Sequence, residues 1–175
     1  MDMKMAVQNL GSYNRGGLIF EWVEIPASEE EVQNAINRVL EKGKEHDEEY
    51  YVADFSDRTG ILREICGGGY YPSPQRVNEV AGILDSYDET VVRAIWEELS
   101  GDTDYFLEVL QAKDYICFKD IDNNQQLGEK LMEQGYIPKP ETLPMKYVDF
   151  EQIGKEAGYS FYKFDGESIA IRLTD

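Results

Sequence analysis

Histidine occurs once and cysteine twice in these 175 residues, and the 17 basic side chains are outnumbered by 35 acidic ones. The one histidine, His46, lies in Glu45-His46-Asp47-Glu48-Glu49. Spacing nominates no partner for it, so neither a histidine-based triad nor a histidine-based metal site is indicated, and a solvated loop position is the better reading. Cys66 and Cys117 are far apart and form no CxxC pair, which argues against a zinc site or a disulfide framework. Reduced, mostly buried thiols and a cytoplasmic location are expected instead. No apolar run approaches the roughly 18 residues of a membrane span. The start, Met1-Asp2-Met3-Lys4-Met5, lacks the apolar core of a signal peptide, so none is expected. The shortage of cations excludes free nucleic acid and anionic membrane surfaces as ligands.

What is present is acid, and it is spread along the chain. Asp plus Glu against Lys plus Arg is 13 against 6 in residues 1–60, 12 against 5 in 61–120 and 10 against 6 in 121–175, for a net charge of −18. That charge would permit disorder, but 42% hydrophobic residues, with 12 Tyr, 7 Phe and 2 Trp distributed throughout, supply a packed core. A folded protein with a strongly anionic surface follows. Its remaining partners are cations, basic proteins and proteins that themselves grip anions.

The hydrophobic pattern predicts an α+β chain, an elongated series of small units. Met5 to Leu10 and Leu18 to Ile25 read as strands, the latter placing Leu18, Phe20 and Trp22 on one face, with Trp22 expected in the strand core. Tyr13-Asn14-Arg15-Gly16-Gly17 supplies the tight connection between them. Ser28 and Glu31 form a capping box for a helix through Val32, Ala35, Ile36, Val39 and Leu40, and Tyr50 to Phe55 returns as a strand. Residues 1–60 are therefore expected to form an antiparallel sheet with one helix. After the break at Gly67-Gly68-Gly69, Ser73-Pro74, Asp88 and Asp102 or Thr103 each start a helix, so 61–113 reads as a small helical bundle. Residues 114–175 read as a mixed α+β domain: a strand at 115–118, a helix from Asn123 to Gln134, a proline-rich connector, a helix capped by Asp149 and a terminal hairpin turning at Asp165-Gly166.

Chemistry finds little purchase. Asp120-Ile121-Asp122-Asn123-Asn124 imitates the opening of a calcium loop, but Gln125 holds the sharp-turn position and Leu131 the place of the bidentate Glu, so helix capping by Asp122 or Asn123 is the better account. Gly67-Gly68-Gly69 lacks the Lys-Ser/Thr of a phosphate-binding loop. Collectively the acids have more to offer. On a helix, carboxylates three or four residues apart advance about 4.5–6 Å, close to the phosphate spacing of DNA. Sets of this kind include Glu41 with Glu45, Asp85 with Asp88 or Glu89, Glu97 and Glu98 with Asp102, and Asp104 with Glu108. Such a surface suits the phosphate-gripping channel of a DNA-binding protein, although a solvated helix face looks the same.

Two segments add specificity. Val7-Gln8-Asn9-Leu10-Gly11-Ser12-Tyr13-Asn14-Arg15-Gly16-Gly17-Leu18, continuing through Glu21-Trp22-Val23-Glu24-Ile25-Pro26, resembles the opening of the ArdA family of antirestriction proteins. Tyr147-Val148-Asp149-Phe150-Glu151-Gln152-Ile153-Gly154-Lys155-Glu156 resembles a second segment of that family, with Lys155 where the family favours Arg. The resemblance implies a DNA mimic carried by mobile genetic elements, without catalytic residues, cofactor or metal. It implies a homodimer joined largely through its C-terminal region into a long, curved anionic body. The implied partner is the DNA-recognition and methyltransferase core of a type I restriction-modification enzyme.

On this reading the phosphate-mimicking carboxylates are Glu29, Glu30, Glu41, Glu45, Asp47, Glu48, Glu49, Asp85, Asp88, Glu89, Glu97, Glu98, Asp102, Asp104 and Glu108, and the dimer contact includes Phe161, Ile169 and Ile171. Tyr13, Asn14, Gly16, Trp22 and Asp149 are expected to maintain the fold. Two other readings are an acidic regulator of a different DNA-binding protein, such as a repressor or nucleoid protein, and, remotely, a small acidic hydrolase using paired carboxylates.

Overall fold

The computed structural model describes residues 1–44, 47–68 and 71–174, an α+β chain with two three-stranded antiparallel sheets. Glu45, expected among the phosphate-mimicking carboxylates, His46, expected in a solvated loop, and Gly69 lie outside the described residues. Two compact units divide at Glu89/Thr90.

In the first unit, β1 (Met3–Asn9) is the central strand between β2 (Phe20–Ile25) and β3 (Tyr50–Asp57). Alternation sends Met3, Met5 and Val7 of β1, with Val23 and Ile25 of β2, into the core. Two helices cover them. In α2 (Glu29–Glu41), Val32, Ala35, Ile36 and Val39 form the buried stripe, and both halves of the Ser28/Glu31 capping box are made. In α4 (Pro74–Asp85), Val77, Val80, Ala81 and Leu84 are buried behind the Ser73 cap and the N1 proline. Between β3 and α4 lies α3 (Ile61–Cys66), which periodicity did not reveal.

Two features of this unit differ from expectation. The connection after β1 is not a bare turn: Asn9 accepts from the Ser12 N–H and caps a short helix, α1 (Leu10–Asn14), so Asn14 ends a helix and Gly16, at φ 80°, makes the turn. Leu18, Phe20 and Trp22 are 73%, 47% and 44% exposed. Trp22 is therefore not in the strand core. Period-two alternation groups these side chains on one face but does not say which face the helices cover, and α2 and α4 cover the one bearing Val23 and Ile25.

In the second unit, β6 (Glu167–Leu173) lies between β4 (Tyr115–Lys119) and β5 (Ser160–Phe164). The β5–β6 hairpin turns at Asp165 and Gly166, both at positive φ as an Asp-Gly turn requires. Phe118, Ile121, Leu127, Leu131 and Ala170 form a core joining the sheet to α7 (Asn124–Glu133). The carboxylate of Asp149 caps α8 (Phe150–Glu156), which crosses α7 at Gly128 and Gly154. Against the hairpin lies α5 (Glu89–Glu98): Arg93 bonds Asp165 at 2.5 Å and sits over the Phe164 ring, and the Tyr162 hydroxyl donates to Glu98 at 2.7 Å. In α6 (Thr103–Ala112), Phe106 meets Trp96 edge to face. Cys66 and Cys117 are each half-buried, and desolvation pushes the Cys66 thiol up to about 11, so Cys66 is not a reactive thiolate.

Candidate functional site

The first unit carries 18 acidic and 8 basic residues, net −10, and the second 17 and 9, net −8. The fold sorts these carboxylates into those it uses and those it leaves on the surface.

Asp47 is used most completely. Arg15 bonds it at 2.6 Å and the Lys44 N–H donates to it at 3.0 Å, leaving its side chain only 4% exposed. A Cβ on Gly43 would lie 2.5 Å from its Oδ2, and one on Gly11 would overlap its Oδ1. Gly11 and Arg15 of the early segment, together with Gly43 and Lys44, thus build a socket for this carboxylate. Donation from Arg15 first, then from the Lys44 amide, lowers the Asp47 pKa to about 2. Because the folded value lies below the ordinary value near 4, this carboxylate stabilises the fold above about pH 4, and that contribution fades as pH falls toward 2. Asp47→Asn should lower the denaturant midpoint at pH 7, and the gap from the parent should close between about pH 4 and pH 2. A gap constant across that window would show that the ion pair does not set the pKa.

Several other acids are committed in the same way. Glu89 is paired with Arg58, Glu98 accepts from Tyr162, Asp102 accepts the Tyr105 N–H and caps α6, and Asp85 meets the N-terminal ammonium. Asn123 caps α7 and Asp122 accepts from the Ser168 hydroxyl, which gives the calcium-loop imitation its structural role. Ile169 and Ile171 are completely buried within their own chain and Phe161 is half-buried against its core. The two isoleucines therefore have no surface left to offer a second subunit.

Glu29, Glu30, Glu41, Glu48, Glu49, Asp85, Asp88, Glu97, Asp102, Asp104 and Glu108 are exposed. Their helix positions are informative. Glu29 and Glu30 lie in the first turn of α2 and Asp104 in that of α6, where the positive end of the helix dipole favours them. Glu41 ends α2, Asp85 ends α4, and Glu97 and Glu98 end α5, where the dipole opposes a carboxylate. The last turns of α4, α5 and α6 contain no basic residue to offset this.

Among the described residues, no group of three or more His, Cys, Asp and Glu side chains is arranged to hold a metal ion. No helix there is long and apolar enough to cross a membrane. The shifted carboxylates among them, Glu21, Glu31, Asp47, Asp54 and Asp122, all lie below the usual range. For Glu21 the leading cause is Arg38, and for Asp54 it is the Phe55 N–H. A general acid needs the opposite shift.

Comparison with curated proteins finds no match. The family described as Antirestriction protein (ArdA) matches residues 5–167, spanning the Asn9-capped turn, the acidic helices and the Asp149 cap. With nearly the whole length matched, the chain belongs to the ArdA family of antirestriction proteins.

Proposed function

We propose that the protein blocks a type I restriction-modification enzyme by occupying its DNA-binding channel as a non-enzymatic anionic decoy. The observation that carries this reading is the exposed carboxylates that the fold has no use for. Glu41 and Glu97 sit at the wrong ends of their helices, where each costs about 0.3–1 kcal/mol, and their side chains take part in no hydrogen bond or ion pair among the described residues. Capping and solubility account for Asp102 and Glu29, whereas placing acid at helix C-termini works against stability. A partner whose Lys and Arg grip phosphates supplies the missing reason. Two copies would carry −36, the charge of about 18 base pairs. We place self-association in residues 114–175, where Tyr136, Leu143, Met145 and Tyr147 are exposed.

The test is DNA cleavage by purified type I restriction enzymes with stoichiometric protein present. Inhibition at low salt is expected, with direct binding of the protein to the enzyme weakening as salt rises, because screening acts on each contact between a carboxylate and a Lys or Arg of the channel. Unimpeded cleavage across several such enzymes at low salt would overturn the reading.

A further inference from the structure

As an outer strand of its sheet, β2 has one side without a neighbouring strand among the described residues. The Asn9 N–H donates to the Ile19 carbonyl at 3.0 Å, and the register runs unbroken from there through Met3 opposite Ile25. In the antiparallel alternation, residues 19, 21, 23 and 25 therefore direct their backbone groups at β1, and Phe20, Trp22 and Glu24 direct theirs outward. Beside this open edge a groove of about 500 Å³ runs between β2 and α2, lined in part by Glu21, Trp22, Glu24, Glu31, Asn34 and Arg38. Outward backbone donors and acceptors, flanked by the exposed rings of Phe20 and Trp22, form a template for one more strand.

Charge selects the occupant. Three carboxylates and one guanidinium line the groove, and that guanidinium, on Arg38, is already held by both oxygens of Glu21. Glu24 is shared with Lys4 at 3.1 Å but stays 86% exposed, within a unit of net charge −10. A second copy pairing edge to edge would bring another unit of net charge −10 against this one. An extended segment with Lys or Arg at alternate positions avoids that repulsion: the aliphatic stems cover Phe20 and Trp22, and the charged heads reach Glu24. We propose that the β2 edge and its groove take up an extended, lysine- or arginine-bearing segment of a partner protein as a fourth strand of the sheet. This strand addition goes beyond the decoy reading and does not depend on it.

The test leaves the protein unchanged and varies the peptide. An acetylated, amidated hexapeptide Val-Lys-Val-Lys-Val-Lys, matching the six residues of β2, is added while amide hydrogen exchange is followed residue by residue. Exchange at Phe20, Trp22 and Glu24 is expected to slow by about tenfold or more at saturation. The Val-Glu counterpart, and a basic peptide of equal charge with proline replacing its central valine, should leave those amides unprotected. Lack of protection by the first peptide would overturn the proposal, as would equal protection by the proline peptide, which marks charge attraction without strand pairing. Protection that grows with protein concentration in the absence of peptide would assign the edge to a second copy and overturn the choice of occupant.

Discussion

Replacing Gly128 or Gly154 with alanine is expected to destabilise the C-terminal unit by about 3 kcal/mol, because a Cβ at these two positions meets the closest obstruction of any described glycine. A Cβ on Gly128 would lie 2.8 Å from the Phe150 carbonyl carbon, and one on Gly154 would lie 2.7 Å from that of Asn124, each nearer still to the carbonyl oxygen. The contact is reciprocal. Gly128 lies one turn beyond Asn124 in α7, and Gly154 one turn beyond Phe150 in α8, so each glycine receives the first turn of the other helix. Both obstructing groups are backbone and cannot rotate away as a side chain would. The helices would have to separate, opening the layer that holds Leu127, Leu131 and Ala157. One separation relieves both clashes, so the double variant should lose less than the sum of the singles. Denaturant midpoints would measure this, with Gly68→Ala as the control, because a Cβ there meets nothing within 4 Å. Midpoints equal to the parent for both variants would mean that the two helices do not cross this closely.

The same glycines show where sequence reading stops. Gly154 belongs to one of the segments that carried the family resemblance, yet a glycine within a short helix reads as a weakness until the second helix is seen above it. Caps were readable because each is local: Ser28 with Glu31, Ser73 before Pro74, Asp102, Asn123 and Asp149 all bond an amide three residues on. The start of α3 was not readable. Asp57 serves it from five residues away, accepting the Leu62 N–H at 2.8 Å, while Gly60 fills the usual cap position with no side chain. Distance also hid the commitments of the acids. Asp47 and Glu98 look as available as Glu48 and Glu97 in sequence, but Arg15 lies 32 residues from the first and Tyr162 64 residues from the second. The composition shows an excess of acid, and only long-range contacts separate carboxylates that hold the fold from those left on the surface.

That separation makes the proposed inhibitory surface testable apart from stability. Changing Glu97, Asp102, Asp104 and Glu108 together to their amides halves the net charge of the second unit, from −8 to −4. At about 0.5–1 kcal/mol for each of four exposed ionic contacts, the set is expected to lose roughly 2–4 kcal/mol of binding at low salt. Inhibition of the restriction enzyme would fall by about 30-fold to 1,000-fold. Glu97→Gln alone should shift it by no more than about fivefold. Folding should change little, because the loss of Asp104 from the first turn of α6 is offset at Glu97. Asparagine at 102 still caps α6, and removing the charge at 97 relieves a carboxylate opposed by the dipole of α5, a gain of about 0.3–1 kcal/mol. A variant that unfolds no earlier than the parent and yet fails to inhibit would mark these acids as a binding surface. Full inhibition by the fourfold variant would remove α5 and α6 from that surface, and abolition by Glu97→Gln alone would replace a distributed decoy with a single decisive contact. The salt dependence gives a further check, since four fewer charges should flatten the fall of direct binding with ionic strength even where some binding survives.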